Sequence, residues 1–137
     1  MRREPYTKVS FSQMISALKW AQRNLNLRDW EINLEYGKDR PDWIIPDRKT
    51  YGGIINLVYK DSFYAEIWIN PKECEMNVSH PISTLMHEMI HLLLESHNQN
   101  DKFLHPNERL VNTLEYHLFK SWKCRGKLNV SEKNGTS

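Results

Sequence analysis

The strongest constraint on the fold is a long apolar segment, residues 81–94, with two histidines and a glutamate in its middle. Pro81 suits the first turn of a helix, with Ser79 or His80 as its cap. The apolar residues that follow recur at helical spacing and predict a broad apolar face: Ile82, Leu85, Met86, Met89, Ile90 and Leu93. Such a helix is largely buried, and burying an unpaired imidazole or carboxylate costs free energy. The polar residues in its middle therefore need partners, and a metal ion can supply one.

These polar residues form the motif His87-Glu88-Met89-Ile90-His91. Helix positions four apart lie about 40° from each other around the axis, so the two imidazoles project from one face and can share one ion. Glu88 is too close in sequence to His87 to join the same ligand set easily. It can instead act as a general base on water at the metal. The motif predicts that His87 and His91 bind Zn²⁺ and that Glu88 is catalytic.

The third metal ligand has more than one candidate, since catalytic zinc usually has three protein ligands and an open fourth position. Glu108 is the first choice, because it begins the next predicted helix and can face the imidazoles across an antiparallel helix pair. His97 is the alternative, because it lies where the metzincin pattern HExxHxxGxxH has its third histidine. That pattern needs glycine for a sharp turn where this chain has Leu94. His105 is a weaker candidate still.

Two segments resemble the motifs of the gluzincins, the thermolysin-like zinc peptidases, and of their small single-domain relatives: His87-Glu88-Met89-Ile90-His91 and Asn107-Glu108-Arg109-Leu110-Val111-Asn112. The resemblance implies a minimal zincin-like domain with His87, His91 and Glu108 as zinc ligands. It also implies hydrolysis of a peptide or protein substrate by a metal-activated water, with Glu88 as the base. In the family an Asp at the position of Asn112 accepts a hydrogen bond from a ligand imidazole, which an Asn can do only through its amide oxygen.

The resemblance further implies how substrate binds. In the family an edge strand before the metal helix holds extended peptide by strand addition, and here this role falls to residues 65–70. Trp68 shares a face of that strand with polar residues rather than with its apolar neighbours. We therefore expect Trp68 and its strand to align the substrate.

Several other polar residues are weaker candidates for the site. Tyr116, His117 and His80 carry hydrogen-bonding groups that could steady an oxyanion. The favoured interpretation of each is an ordinary capping or core-edge residue. Glu115 lies one turn beyond Asn112 and is interpreted as a surface residue.

The N-terminal half predicts one helix, one strand and a loop. Ser10 and Gln13 resemble a capping box, and apolar residues recur at helical spacing over residues 10–26. Apolar and polar residues alternate without a break over residues 30–36, which predicts a strand with one buried face. Residues 37–53 contain two Pro and three Gly and predict a long loop.

Two further β-rich runs, residues 54–59 and 64–70, are joined by residues 60–63 and predict a hairpin. Asn107 can cap a last helix in which apolar residues repeat at three-to-four spacing: Val111, Leu114, Leu118 and Trp122. The predicted class is α+β, with a small three-stranded mixed sheet packed on helices and the metal between the last two helices.

Composition limits the other possibilities. Net charge is +2, from 19 Lys and Arg against 17 Asp and Glu, and the two signs are interspersed, which argues against nucleic acid as a partner. No stretch approaches the roughly 18 apolar residues of a membrane span, and no targeting segment is evident, so a cytoplasmic protein is expected. Residues 1–125 are expected to form one domain, a monomer, and residues 126–137 a disordered tail. Cys74 and Cys124 are expected to be unpaired.

Two other classes of function remain open from sequence. The first is a non-catalytic binding protein in which zinc is a structural element and a fourth protein ligand, such as His97, closes the site. The second is a metal-free helical adaptor, in which the histidine motif is a coincidence. An open metal coordination position favours the enzyme over both.

Overall fold

The computed structural model describes residues 4–37, 39–45, 50, 52–59, 62–97 and 108–135. These residues form four helices and three strands in the order α1 (Phe11–Asn24), β1 (Glu31–Tyr36), β2 (Gly53–Tyr59), β3 (Tyr64–Ile69), α2 (Pro71–Met76), α3 (Pro81–Ser96) and α4 (Glu108–Gly135). The predicted α+β class is confirmed. The short helix α2 is an element that the sequence pattern did not predict.

Helix α1 begins with the predicted capping box. The backbone N–H of Gln13 donates to Ser10 Oγ at 3.1 Å, and the backbone N–H of Ser10 donates to Gln13 Oε1 at 2.9 Å. Such a cap stabilises a helix by about 1 kcal/mol. The face that α1 turns to the core consists of Met14, Ala17, Leu18 and Ala21, all buried.

The sheet is mixed, as predicted, but its strand order corrects one prediction. The order is β1-β3-β2, with β1 parallel and β2 antiparallel to β3. The predicted hairpin between β2 and β3 is confirmed. Because both hydrogen-bonding edges of β3 are paired, residues 65–70 cannot take up a peptide by strand addition, and their assignment as an edge strand is wrong.

Strand β3 is also buried at its C-terminal end. Ile67, Trp68 and Ile69 are consecutive and fully buried, so both faces of the strand are covered at this end. The Arg40 guanidinium lies 5.7 Å from the centre of the Trp68 ring and forms an ion pair with Glu73 at 3.0 Å. The expectation that Trp68 aligns substrate is therefore wrong, because its indole is part of the interior.

Short caps fix how the chain enters α2 and α3. Asn70 Oδ1 accepts from the backbone N–H of Lys72 at 2.8 Å, and Pro71 follows as the first residue of α2. At α3 the cap is His80, whose Nδ1 accepts from the backbone N–H of Ile82 at 3.1 Å. The interpretation of His80 as a capping residue is confirmed.

Helix α3 is the centre of the domain. It packs against every other helix, α1, α2 and α4, and against the strands β2 and β3. Its core residues include Leu85, Met86 and Met89, which have no exposed surface, and α4 adds Val111 and Phe119. This contact with α4 holds the polar residues of both helices against each other.

Helix α4 extends to Gly135, and the division into a domain of residues 1–125 and a disordered tail stays a prediction. The predicted cap Asn107 and the candidate ligand His105 lie outside the described residues. None of the helices in the described part of the chain combines the length and apolar character needed to cross a membrane.

Candidate metal centre

His87 and His91 lie one turn apart on the side of α3 that faces α4. Their Nε2 atoms are 3.2 Å apart and their ring centres 4.8 Å apart. The helix geometry alone produces this approach, because residues four apart share a face. Two imidazole nitrogens directed at one point are suited to bind a single metal ion.

Glu108, the first residue of α4, completes the group. Its Oε2 is 3.7 Å from His87 Nε2 and its Oε1 is 3.5 Å from His91 Nε2. For zinc with bonds of 2.0–2.1 Å to N and O, the donor atoms of a tetrahedral site are about 3.3 Å from each other. Glu108 presents a different carboxylate oxygen to each imidazole, and the His, His and carboxylate donor set at this spacing could hold a metal ion.

This group of three, His87, His91 and Glu108, is the one that sequence analysis placed first, and the structure brings it together as a possible metal site. The Glu108 side chain is 63% exposed, whereas the imidazoles are about one-fifth exposed. The fold therefore holds the two histidines in a partly buried position and offers the carboxylate from the solvent side.

A second carboxylate, that of Glu115, contacts His87 on the Nδ1 side of its ring. Glu115 Oε1 is 2.7 Å from His87 Nδ1, and its Oε2 accepts a hydrogen bond from Ser83 Oγ at 2.7 Å. An imidazole that donates its Nδ1–H to this carboxylate keeps the Nε2 lone pair for a metal. The interpretation of Glu115 as a surface residue is wrong, since it is half-buried in the contact between α3 and α4.

Asn112 does not take the role that the family motif implied. Its side chain is exposed and makes no hydrogen bond within the described residues, whereas Glu115 supports His87. A signal was present in the sequence, because Glu108 and Glu115 are seven residues apart and so lie on one face of a helix. The side chain that contacts His87 is thus the carboxylate of Glu115 rather than the amide of Asn112.

Glu88 follows His87 on α3 and is 8% exposed. Its negative charge is one of the contributions that raise the pKa of His87. Together with Glu108 and Glu115 it places three carboxylates around two imidazoles. This concentration of negative charge favours a divalent cation.

The two imidazoles differ in how readily they take a proton. Burial lowers the pKa of His87, but the hydrogen bond to Glu115 and the charges of Glu88, Glu115 and Glu108 outweigh it, so the pKa is raised overall. Burial and the neighbouring His87 lower the pKa of His91, with Glu108 opposing them. Proximity to the carboxylates therefore makes His87 the more basic of the two.

The remaining candidates lie apart from the His87, His91 and Glu108 group. Helix α3 continues through Leu94 to Ser96, so the chain does not make the turn of the metzincin pattern, and His97 is an exposed C-cap. Tyr116 and His117 are exposed on α4 and contact each other with ring centres 5.4 Å apart. In the described part of the chain none of the three joins the group.

Both cysteines are free, as expected. The Cys74 thiol is buried between the Gly52 carbonyl at 3.9 Å and Thr84 Oγ1 at 3.8 Å. Burial raises the pKa of the Cys74 thiol to about 11. A thiol in this state is unreactive and is a poor metal ligand.

The fold and site thus define an α+β domain with a His-His-Glu group that could hold a metal between two packed helices. Comparison of the chain with models of known families, with characterised proteins and with solved structures found no match.

Proposed function

We propose that this protein is a zinc-dependent peptidase of the gluzincin type, in which His87, His91 and Glu108 hold the metal and Glu88 is the general base. One observation carries the proposal. The two imidazole Nε2 atoms are 3.2 Å apart, an oxygen of the Glu108 carboxylate lies within 3.7 Å of each of them, and a buried carboxylate immediately follows the first histidine.

Zinc held by these residues would act as a Lewis acid that polarises a carbonyl oxygen and lowers the pKa of water. Glu88 removes a proton from the attacking water as the oxygen bonds to the peptide carbonyl carbon. When the C–N bond breaks, Glu88 delivers that proton to the leaving amine. Glu115 keeps His87 in the orientation that directs Nε2 toward the shared point.

The strand that would bind substrate in this proposal is β2 (Gly53–Tyr59). Within the described sheet it is an edge strand, and it packs on the metal helix. Gly53 permits this approach, since a β-carbon there would lie 2.8 Å from Thr84 Cγ2 on α3. An extended peptide could pair with the free edge of β2 by strand addition, which is how this proposal has a peptide substrate bind.

The test of the proposal is Glu88→Gln, which retains the size of the side chain and removes the base. We expect the variant to bind one zinc per chain, by elemental analysis of protein never exposed to chelator, and to lose at least about a hundredfold in hydrolysis of an unstructured protein substrate. Glu95→Gln is the matched control, because Glu95 is also on α3 and also 8% exposed. We expect that control to keep its activity.

Three results would contradict the proposal. Parent protein that neither contains nor takes up zinc would remove the metal centre. Glu88→Gln with undiminished activity would remove the general base. Zinc-loaded parent protein that cleaves no peptide, with a fourth protein ligand at the metal, would favour the closed structural site instead.

A further inference from the structure

Ser83 lies one turn before His87 on α3, and its side chain points at the same carboxylate. It is 4% exposed, and its hydroxyl donates to Glu115 Oε2 at 2.7 Å while Oε1 of that carboxylate is 2.7 Å from His87 Nδ1. A helical serine often donates to the carbonyl four residues earlier in its own helix. Here the hydroxyl is instead bonded across the contact between α3 and α4.

The polar residues of the two helices alternate along this contact. Ser83, His87 and His91 occupy successive turns of α3, and α4 places Glu115 between the first two and Glu108 between the last two. The chain order is opposite in the two helices, so they run antiparallel. Each α4 carboxylate therefore bridges two α3 residues, and Ser83 is the end of the series farthest from the metal group.

We propose that Ser83 is a positioning residue of the metal centre. Its hydrogen bond stops rotation of the Glu115 carboxylate, and the fixed carboxylate holds His87 in the Nδ1–H tautomer with Nε2 free. Without Ser83, Glu115 could turn toward solvent, because its side chain is 22% exposed. The inference rests on the proposed function, in that the group so positioned is a zinc ligand.

Ser83→Ala tests the inference by removing the hydroxyl while keeping a good helix former. We expect zinc affinity, measured by competition with a chromophoric chelator, to fall about tenfold, the lower end of the range for an outer partner of a metal ligand. Thr84→Val is the matched control, because Thr84 is a neighbouring buried hydroxyl that bonds to the His80 carbonyl and not to Glu115. We expect it to keep parental affinity, and Ser83→Thr, which retains a hydroxyl, to restore most of what Ser83→Ala loses.

A double variant separates positioning from general destabilisation. If Ser83 acts through Glu115, Ser83→Ala should lower zinc affinity in the parent and have little further effect in Glu115→Gln. An equal loss in both backgrounds would overturn the inference, as would parental affinity in Ser83→Ala. The cobalt(II) absorption spectrum should also change in Ser83→Ala and not in Thr84→Val.

A metal-free measurement distinguishes failure of this inference from failure of the proposed function. Nitrogen-15 NMR of the imidazoles, at a pH at which both are neutral, should show His87 as the Nδ1–H tautomer in the parent and as a mixture in Ser83→Ala. If the parent binds no zinc but shows this change, Ser83 positions His87 and the metal proposal fails. If the tautomer is unchanged in Ser83→Ala, the positioning role is refuted whatever the metal content.

Discussion

Replacing Glu108 with alanine should remove most of the zinc affinity while leaving the metal-free protein nearly as stable as before. The carboxylate is 63% exposed, so its contacts with His87 and His91 are near the surface and stabilise the apo form by at most about 1 kcal/mol. Loss of an outer partner of a metal ligand typically weakens binding about 10–100-fold. Loss of a direct donor should therefore weaken it at least about a hundredfold, or about 2.7 kcal/mol.

The size of the effect on thermal stability follows by linkage. At free zinc of about 100 times the parental dissociation constant, the parent is stabilised by about 2.7 kcal/mol, and a variant that binds about a hundredfold more weakly by about 0.4 kcal/mol. The difference of about 2.3 kcal/mol corresponds to roughly 9 °C in Tm for a domain of this size, at roughly 4 °C for each kcal/mol.

The assay is calorimetry of the parent, Glu108→Ala and His97→Ala, each with buffered zinc and with excess chelator. With zinc, Glu108→Ala should melt lower than the other two, and with chelator all three should nearly coincide. His97→Ala is the control because His97 is exposed and lies outside the metal group. Greater loss of zinc binding in His97→Ala than in Glu108→Ala would refute the ligand assignment and favour the metzincin-like arrangement.

Two predictions concern ionisable groups away from the metal. Burial lowers the pKa of His80 below its usual 6.5. The free energy of unfolding should therefore decrease as the pH falls below 6.5, because the unfolded chain then binds a proton that the folded protein does not. Urea unfolding of chelated protein should show a smaller decrease for His80→Asn, whose side chain can still cap α3. Burial raises the pKa of Cys74 from 9.0 to about 11. About 3 kcal/mol of the free energy of unfolding should therefore be lost between about pH 9 and pH 11, because only the unfolded chain releases this proton in that range. The Cys74→Ala variant should not show this loss. Titration with a thiol reagent near neutral pH should likewise leave Cys74 unmodified until the chain unfolds, and prompt native-state modification would contradict its burial.

Local sequence patterns predicted correctly those features that depend on a single helix or a single hairpin. The capping box of α1, the hairpin of β2 and β3, and the placement of His87 and His91 on one face all follow from fixed helical or strand periodicities. Glu108 was also placed against them, because it begins the helix that follows α3 and consecutive helices commonly pack as an antiparallel pair.

The order of the strands in the sheet could not be predicted from local sequence patterns. Whether β3 is central depends on where β1 pairs, and that pairing joins residues about thirty positions apart, such as Leu34 and Ile67. The polar and apolar alternation that suggested an exposed face for Trp68 is the same in a strand covered on both faces. The tertiary contact of Arg40, which lies between β1 and β2 in the chain, with the Trp68 ring is not visible in that alternation.

The sequence by itself determined that two imidazoles lie one turn apart on a largely buried helix, with a carboxylate next to the first of them, since backbone geometry fixes their spacing. The tertiary structure alone decided which residue supports His87. Asn112 and Glu115 both lie near the Glu108 face of α4, about 6 Å and about 10.5 Å further along its axis. Which of them meets Nδ1 depends on how far α4 slides and turns against α3, and the packing of whole helix faces sets that, not any local pattern.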